Sequence, residues 1–458
     1  MLPFSAPLRH AVKRDLPYQP VARKLAGWAA HTAAVALVSD GGPTGRFSYL
    51  TVEPDARMTL GHDEGSDALA LLHEATAFVH EGEASMPPFS GGLIGMASFE
   101  FGARLENMAR RPFRIEGRAA WPELILLRFP AVLAFDHHAQ TLTAVGRGAS
   151  EAEAAAACER LIALYQDTPA LPPIDGSLSD GPLVTETAPE VHEDKVAALV
   201  RQIHAGDLFQ ANLARGWIGR LKDGVSPGDV MAALQARGPA PFGALLRLGD
   251  RAIVSNSPER FIHLSADGTL ETRPIKGTRP RGATPEDDQA LAAELLASAK
   301  DRAENLMIVD LMRHDLSKVA EVGSVKVERL NALETYANVH HLVSTVTAQL
   351  REGLSAAEVL AATLPAGSIS GAPKVQAMKV IDTMEAARGP YCGVLFSVDA
   401  GGAMDSSVLI RTLACEHDGR AWQVRAAAGG GIVADSEPEA ENAETETKLS
   451  LIRKVLEG

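Results

Sequence analysis

Apolar and polar positions alternate with a period of two in several early stretches. "TAAVALVSD" (32–40), "RFSYLTVEP" (46–54) and "AVLAFDHHAQTLTAVGR" (131–147) predict strands, the last a hairpin turning near His138. "SEAEAAAACERLIALYQ" (150–166) changes to a helical period. Residues 166–190, rich in Pro, Ser, Asp and Gly, carry no period and read as a linker. The pattern divides the chain into a subdomain 1–165, the linker 166–190 and a larger domain 191–458.

Beyond the linker, "HEDKVAALVRQIHAG" predicts a helix ending at Gly206. "AIVSNSPERFIHLSADGTLETRPIKG" predicts a hairpin with Asp267-Gly268 at its turn. Thr284, Pro285 and Asp287 form a helix start, and Pro373 and Lys374 open another. "YCGVLFSVDAGGAMDSSVLIRTLACEHDGRAWQVRAAAGGGIV" reads as a strand meander before a last helix, begun by Ser436 and Glu439 as a capping box. Strands and helices occur in runs instead of strict alternation, which predicts an α+β fold.

Two predicted helices carry acids where apolar residues belong. In "KDRAENLMIVDLMRHDLSK", Asp301, Glu304, Ile308, Leu311 and Asp315 share one face. A cap and a solvated edge account for Asp301, but Glu304 points inward. In "EPEAENAETETKLSLI", Glu441, Glu444, Lys448, Leu451 and Ile452 share a face, and alone this is an exposed helix with a Glu444–Lys448 pair. A buried carboxylate is paired, protonated or metal-bound. Two such helices together favour a hard-cation site of the Mg²⁺ type.

Length 458, net charge -14 and three scattered cysteines adjust this picture. The acidic balance disfavours nucleic acid and anionic membrane as partners. No C-x-x-C pair and no run of 18 apolar residues occur, so the expected setting is a reducing cytoplasm. Against that acidity, "ETRPIKGTRPRG" (271–282) gathers Arg273, Lys276, Arg279 and Arg281 on one broken loop. Gly429, Gly430 and Gly431 interrupt a strand, which marks close approach by a ligand or another segment. Arg411 is expected on the strand face of Leu409 and Leu413, where an anion should meet it. "AGSISGAPK" fails the phosphate-loop spacing, and nothing local decides between His340 and His341.

Together, "GDLFQANLAR", "SNSPERF", "RPIKGTRPRG", "KDRAENLMIVDLMRHDLS", "YANVHHLVS", "AGSISGAPKVQAM", "RGPYCGVLFSVD", "VLIRT" and "AGGGIVADSEPEAENAETETK" are similar to the chorismate-utilising enzymes, in family order from about residue 190 onward. "RFSYLTVEP" and "GGLIGMASFEFG" extend the resemblance loosely into the first half. The resemblance implies two facing, mostly antiparallel sheets with helices outside. Lys276 matches the lysine of members that aminate chorismate at C4 for p-aminobenzoate and folate; anthranilate-forming members usually carry alanine there. Gln210 stands where isochorismate- and salicylate-forming members place a water-activating lysine, so ammonia is the implied nucleophile.

The same resemblance assigns roles. Lys276 attacks C2 of the ring; Arg273, Arg279 and Arg281 help depress its pKa if they lie close, and the cationic loop balances the dianionic substrate. Glu259 is the acid/base, and Thr278 and His341 lie near the C4 hydroxyl. Tyr391, Arg411 and the Gly429–Gly431 backbone clamp the enolpyruvyl carboxylate, and Lys448 lies near the ring carboxylate. Glu304, Glu441 and Glu444 hold Mg²⁺. His314, often asparagine in the family, has little expected consequence. No glutamine amidotransferase or lyase motif is visible, so free ammonia or a separate amidotransferase subunit, component II, is the expected nitrogen source. An anthranilate-forming member is the alternative, and a non-catalytic chorismate-binding protein a weaker one.

Overall fold

The structure, a computed structural model, describes residues 3–79, 85–115, 117–336 and 339–458. Ala337 and Asn338 of "YANVHHLVS" therefore lie outside the described residues. The expected hairpin forms between Ala131–Asp136 and Thr141–Gly148, with Asp136 opposite Thr141. The helix after it spans Glu151–Asp167, capped by the Ser150 hydroxyl. The helix Pro189–His204 ends just before Gly206, whose φ of +87° suits a helix stop. Thr284 caps Pro285–Ala297 through the Asp287 amide, and Pro373 precedes Lys374–Met384.

Among the described residues these strands assemble into one sheet of twelve and one of ten, with antiparallel pairing throughout. The two sheets face each other. Val35, Leu246, Ile253 and Ala414 of the first pack with Ile94, Met96, Ile125, Leu127 and Leu395 of the second in one buried cluster. Helices cover the outer faces: Cys158, Leu161 and Ile162 pack on Leu133, Phe135 and Ala144, and Leu449 and Ile452 of the last helix pack in the same cluster as Trp217, Val424 and Ala426. Leu124–Phe129, "LILLRF", is buried at every position, as a strand covered on both sides must be.

The segment 166–190 is a connection in chain order, and the sheets run across it. Strand Ala34–Val38 pairs with Phe242–Leu248 in the first sheet, and Gly92–Ala97 pairs with Val394–Asp399 in the second. The expected meander is not a single run. Val394–Asp399 and Met404–Val408 belong to the second sheet, while Thr412–His417 and Trp422–Ile432 belong to the first. The chain changes sheets between Val408 and Thr412 and carries Arg411 across the gap.

Candidate active site

Strand Ile275–Pro280 lies at the end of the second sheet, paired with Val339–Gln349. The register slips between Lys276 and Thr278, and Gly277 takes φ +76° at the slip. A Cβ there would be strained in φ and would lie 2.8 Å from Leu295 and 2.9 Å from Asp301, so glycine is required. The bulge presents Lys276, Gly277 and Thr278 together to a cleft of about 800 Å³.

Three of the four loop cations are already spent. Arg273 pairs with Glu334, Arg279 with Glu294 (2.7 Å) and Asp301 (3.4 Å), and Arg281 with Asp288 (2.7 Å). The expectation that the loop arginines balance the substrate is therefore corrected for Arg273 and Arg281, which pair with acids outside the cleft wall; Arg279 lines the cleft but is held by Glu294 and Asp301. Lys276 makes no ion pair among the described residues; its Nζ donates only to the Ser368 carbonyl, at 3.5 Å.

Glu259 sits beside it, 8% exposed. Burial raises its carboxyl pKa, against a hydrogen bond from Ser368 and the charges of Lys276, Lys448 and Arg411. A carboxyl that keeps its proton above the usual range can donate it to a leaving hydroxyl. Thr278 Oγ1 and His341 Nδ1 share a 2.9 Å hydrogen bond. Burial, reinforced by Arg411, pushes the His341 imidazole down to about 4, so it is neutral at pH 7. His340 is satisfied structurally by Asp288 and Thr335, each at 2.9 Å. Arg411 has φ +50° and lies between strands, not on a strand face. Its guanidinium, lowered in pKa by burial and countered only by Glu259, turns to the cleft with Tyr391. An anion fits there.

The acids meet from two helices. Ala299–Ser317 supplies Glu304, and Pro438–Leu456 supplies Glu441 and Glu444. Burial raises the pKa of Glu304, with Lys276 and Lys300 opposing and Glu441 adding to it. Burial also raises Glu441. Burial would raise Glu444 as well, but Lys448 at 2.6 Å, with Lys276 and Lys300 nearby, holds it low. The Lys448 amine also donates to the Gly429 carbonyl at 2.7 Å. A Cβ on Gly430 would stand 2.9 Å from Glu441 Oε2, so this glycine lets the carboxylate helix close on the strand.

Ser436 is not the cap of that helix. Pro438 takes the first position after Glu437, and the Ser436 hydroxyl donates instead to Glu441 Oε1 at 2.7 Å. Among the described residues no three His, Cys, Asp or Glu side chains form a ready metal cage. Carboxylates brought to one cleft from two helices suit a hard cation that takes one or two protein ligands and keeps water and substrate oxygens as the others.

Asp315, expected on the Glu304 stripe, serves another purpose. It is 1% exposed and is bonded by Lys374, itself buried, and by Lys318 at 3.1 Å. Burial lowers the Lys374 pKa despite that partner. The pair ties the helix to the start of the helix Lys374–Met384, and the Lys374 amine also donates to the Thr363 carbonyl at 2.9 Å. Asp315→Ala leaves a buried ammonium unpaired and is expected to destabilise the chain by about 3–5 kcal/mol. Thermal unfolding checks this, and Asp315→Leu with Lys374→Met should recover much of the loss.

Of the residues expected at the site, Gln210 and Gly430 lie outside the cleft wall. Gln210 is buried one layer back, over Gly431, where a Cβ would lie 2.2 Å from its Nε2. His314 is exposed and lies outside the cleft wall. Asn212, Lys300, Ser368 and Ile369 line the cleft although nothing in the sequence reading singled them out. For Ser368 a signal existed: "AGSISGAPK" was legible as a motif whose only fault was the wrong phosphate-loop spacing.

A family model for "chorismate binding enzyme" matches residues 34–454. Aminodeoxychorismate synthase component 1 of Escherichia coli (strain K12) is 40% identical over 432 residues, 91% of this chain and 91% of that protein. Anthranilate synthase component 1 of Mycolicibacterium smegmatis is 35% identical over 435 residues, 89% of this chain and 80% of that protein. Among solved structures, anthranilate synthase component I from Streptococcus pneumoniae TIGR4 superposes with a TM-score of 0.77 at 29% identity, covering 91% of this chain and 94% of that one.

Proposed function

Because the chain belongs to the chorismate binding enzyme family, we propose that it carries the activity of an aminodeoxychorismate synthase component I: chorismate and ammonia give 4-amino-4-deoxychorismate and water. One observation carries this reading within the family. Lys276 presents a primary amine, free of ion pairs among the described residues, to the cleft that also holds Glu259. Lysine, unlike arginine, suits nucleophilic work.

In the proposed sequence Lys276 Nζ forms a bond to C2, the ring double bond shifts, and the C4–O bond breaks. Glu259 gives its proton to the departing hydroxyl, which leaves as water. Thr278 and neutral His341 hydrogen-bond the C4 hydroxyl. Ammonia then bonds to C4 as the C2–N bond to Lys276 breaks, the ammonium so formed returns a proton to Glu259, and the lysine amine leaves as it began. Arg411 and Tyr391 hold the enolpyruvyl carboxylate, which is retained, so no pyruvate leaves. Glu304 and Glu444, with Glu441 beside them, would hold Mg²⁺, which supplies charge neutralisation and Lewis acidity at the ring carboxylate. Lys448 lies beside that end.

Separate glutamine amidotransferase chemistry, a component II, is the proposed ammonia source. Among the described residues no helix is long and apolar enough to cross a membrane. The three cysteines are buried and free, which fits the cytoplasm proposed as its setting. Supplied with chorismate, Mg²⁺ and ammonium, the purified chain should yield a product that becomes p-aminobenzoate only after an aminodeoxychorismate lyase is added. Direct release of fluorescent anthranilate with pyruvate would overturn the assignment in favour of the anthranilate-forming branch.

A further inference from the structure

Lys300 is out of place by local rules. It is the second residue of the helix Ala299–Ser317, after the Ser298 cap, where the helix dipole disfavours a cation. It stands N-terminal to Glu304 in an i,i+4 pair, the weaker orientation for opposite charges. Its Nζ is 3.9 Å from Glu304 Oε1, too long for a strong pair, and its side chain is 56% exposed. An isolated exposed pair of this kind contributes little.

Lys300 nevertheless lines the cleft. Its charge acts on Glu304 from its own helix and on Glu441 and Glu444 from the facing one. Two other cations act on the acids: Lys448 is fixed to Glu444 and to the Gly429 carbonyl, and Lys276 acts on Glu304 and Glu444 from the strand that carries it. Lys300 is the most exposed of the three, its ammonium open to solvent and unbound by any short contact to the acids.

Resting on the magnesium reading above, we propose that Lys300 is a tethered counter-cation. Its ammonium offsets part of the acidic charge when no metal is bound, at Glu304 most directly and beside Lys448 on Glu444, yields as the divalent ion enters, and so sets the affinity of the site for metal. Such an arrangement keeps three carboxylates from repelling one another across two helices. It also weakens metal binding, because a fixed positive charge near the site opposes a second one.

Manganese binding to the full-length chain tests this, read by the loss of the free Mn²⁺ electron paramagnetic resonance signal, without turnover. Lys300→Met, which keeps length and removes charge, should tighten Mn²⁺ binding about tenfold at low ionic strength, with the gain shrinking in high salt. Lys300→Arg should stay within about threefold of the unaltered chain. Unchanged or weaker binding in Lys300→Met overturns the proposal. Glu304→Gln separates it from its premise: it should abolish binding with and without Lys300→Met. If the unaltered chain takes up no Mn²⁺, or Glu304→Gln binds it equally well, the magnesium reading falls and this inference with it.

Discussion

Lys276→Ala should lower turnover at limiting ammonium by about 10²- to 10⁴-fold, the range expected when a group acting in the chemical step is removed. The fold should survive, because among the described residues the amine makes one hydrogen bond, at 3.5 Å to Ser368, and the strand is held by backbone pairing. Lys276→Arg should be no better, since guanidinium is a poor nucleophile with a wider head. The truncated site leaves room for a small amine, so high ammonium or added methylamine should restore part of the rate. A direct readout accompanies the kinetics. Mixed with chorismate and Mg²⁺ without ammonia, the unaltered chain should gain the mass of chorismate less water, and Lys276→Ala should not. Full turnover at low ammonium with no adduct in either chain would remove the covalent route.

Much of this site was legible because its residues break local rules. An inward acid at Glu304 and a glycine run at Gly429–Gly431 each cost stability unless something faces them, and both face the cleft or its carboxylate helix. The hairpins and helix starts were equally legible, since Ser150, Thr284 and Gly206 act on their own neighbours. What the sequence hid was partnership at long range. Nothing near Arg273, Arg279 or Arg281 announces Glu334, Glu294 or Asp288, so a cationic loop looked like an anion cradle. Nothing near Asp315 announces Lys374. Arg411 was placed on a strand because alternation continues through "SSVLIRTLAC", whereas the chain there passes from one sheet to the other. Periodicity records burial on two sides, and a crossing between two facing sheets is buried as well.

The proposed magnesium site makes the second large prediction. Glu304→Gln and Glu444→Gln should each lower kcat/KM by about 10³-fold, equivalent to the several kcal/mol a Lewis acid supplies, and raise the Mg²⁺ needed for half activity. Glutamine keeps the shape and removes the charge, so the loss reads ligation and not packing. Glu441→Gln should fall between these and the unaltered chain, because Ser436 already takes one of its oxygens. Glu439, exposed on the opposite side of the same helix, provides the control: Glu439→Gln should change the rate less than about twofold. Excess EDTA should abolish turnover of the unaltered chain, and added Mg²⁺ should restore it. Should activity persist in EDTA, or should Glu304→Gln and Glu439→Gln behave alike, the carboxylates of the two helices must be held together by Lys276, Lys300 and Lys448 alone, and the ring carboxylate must be bound without a metal.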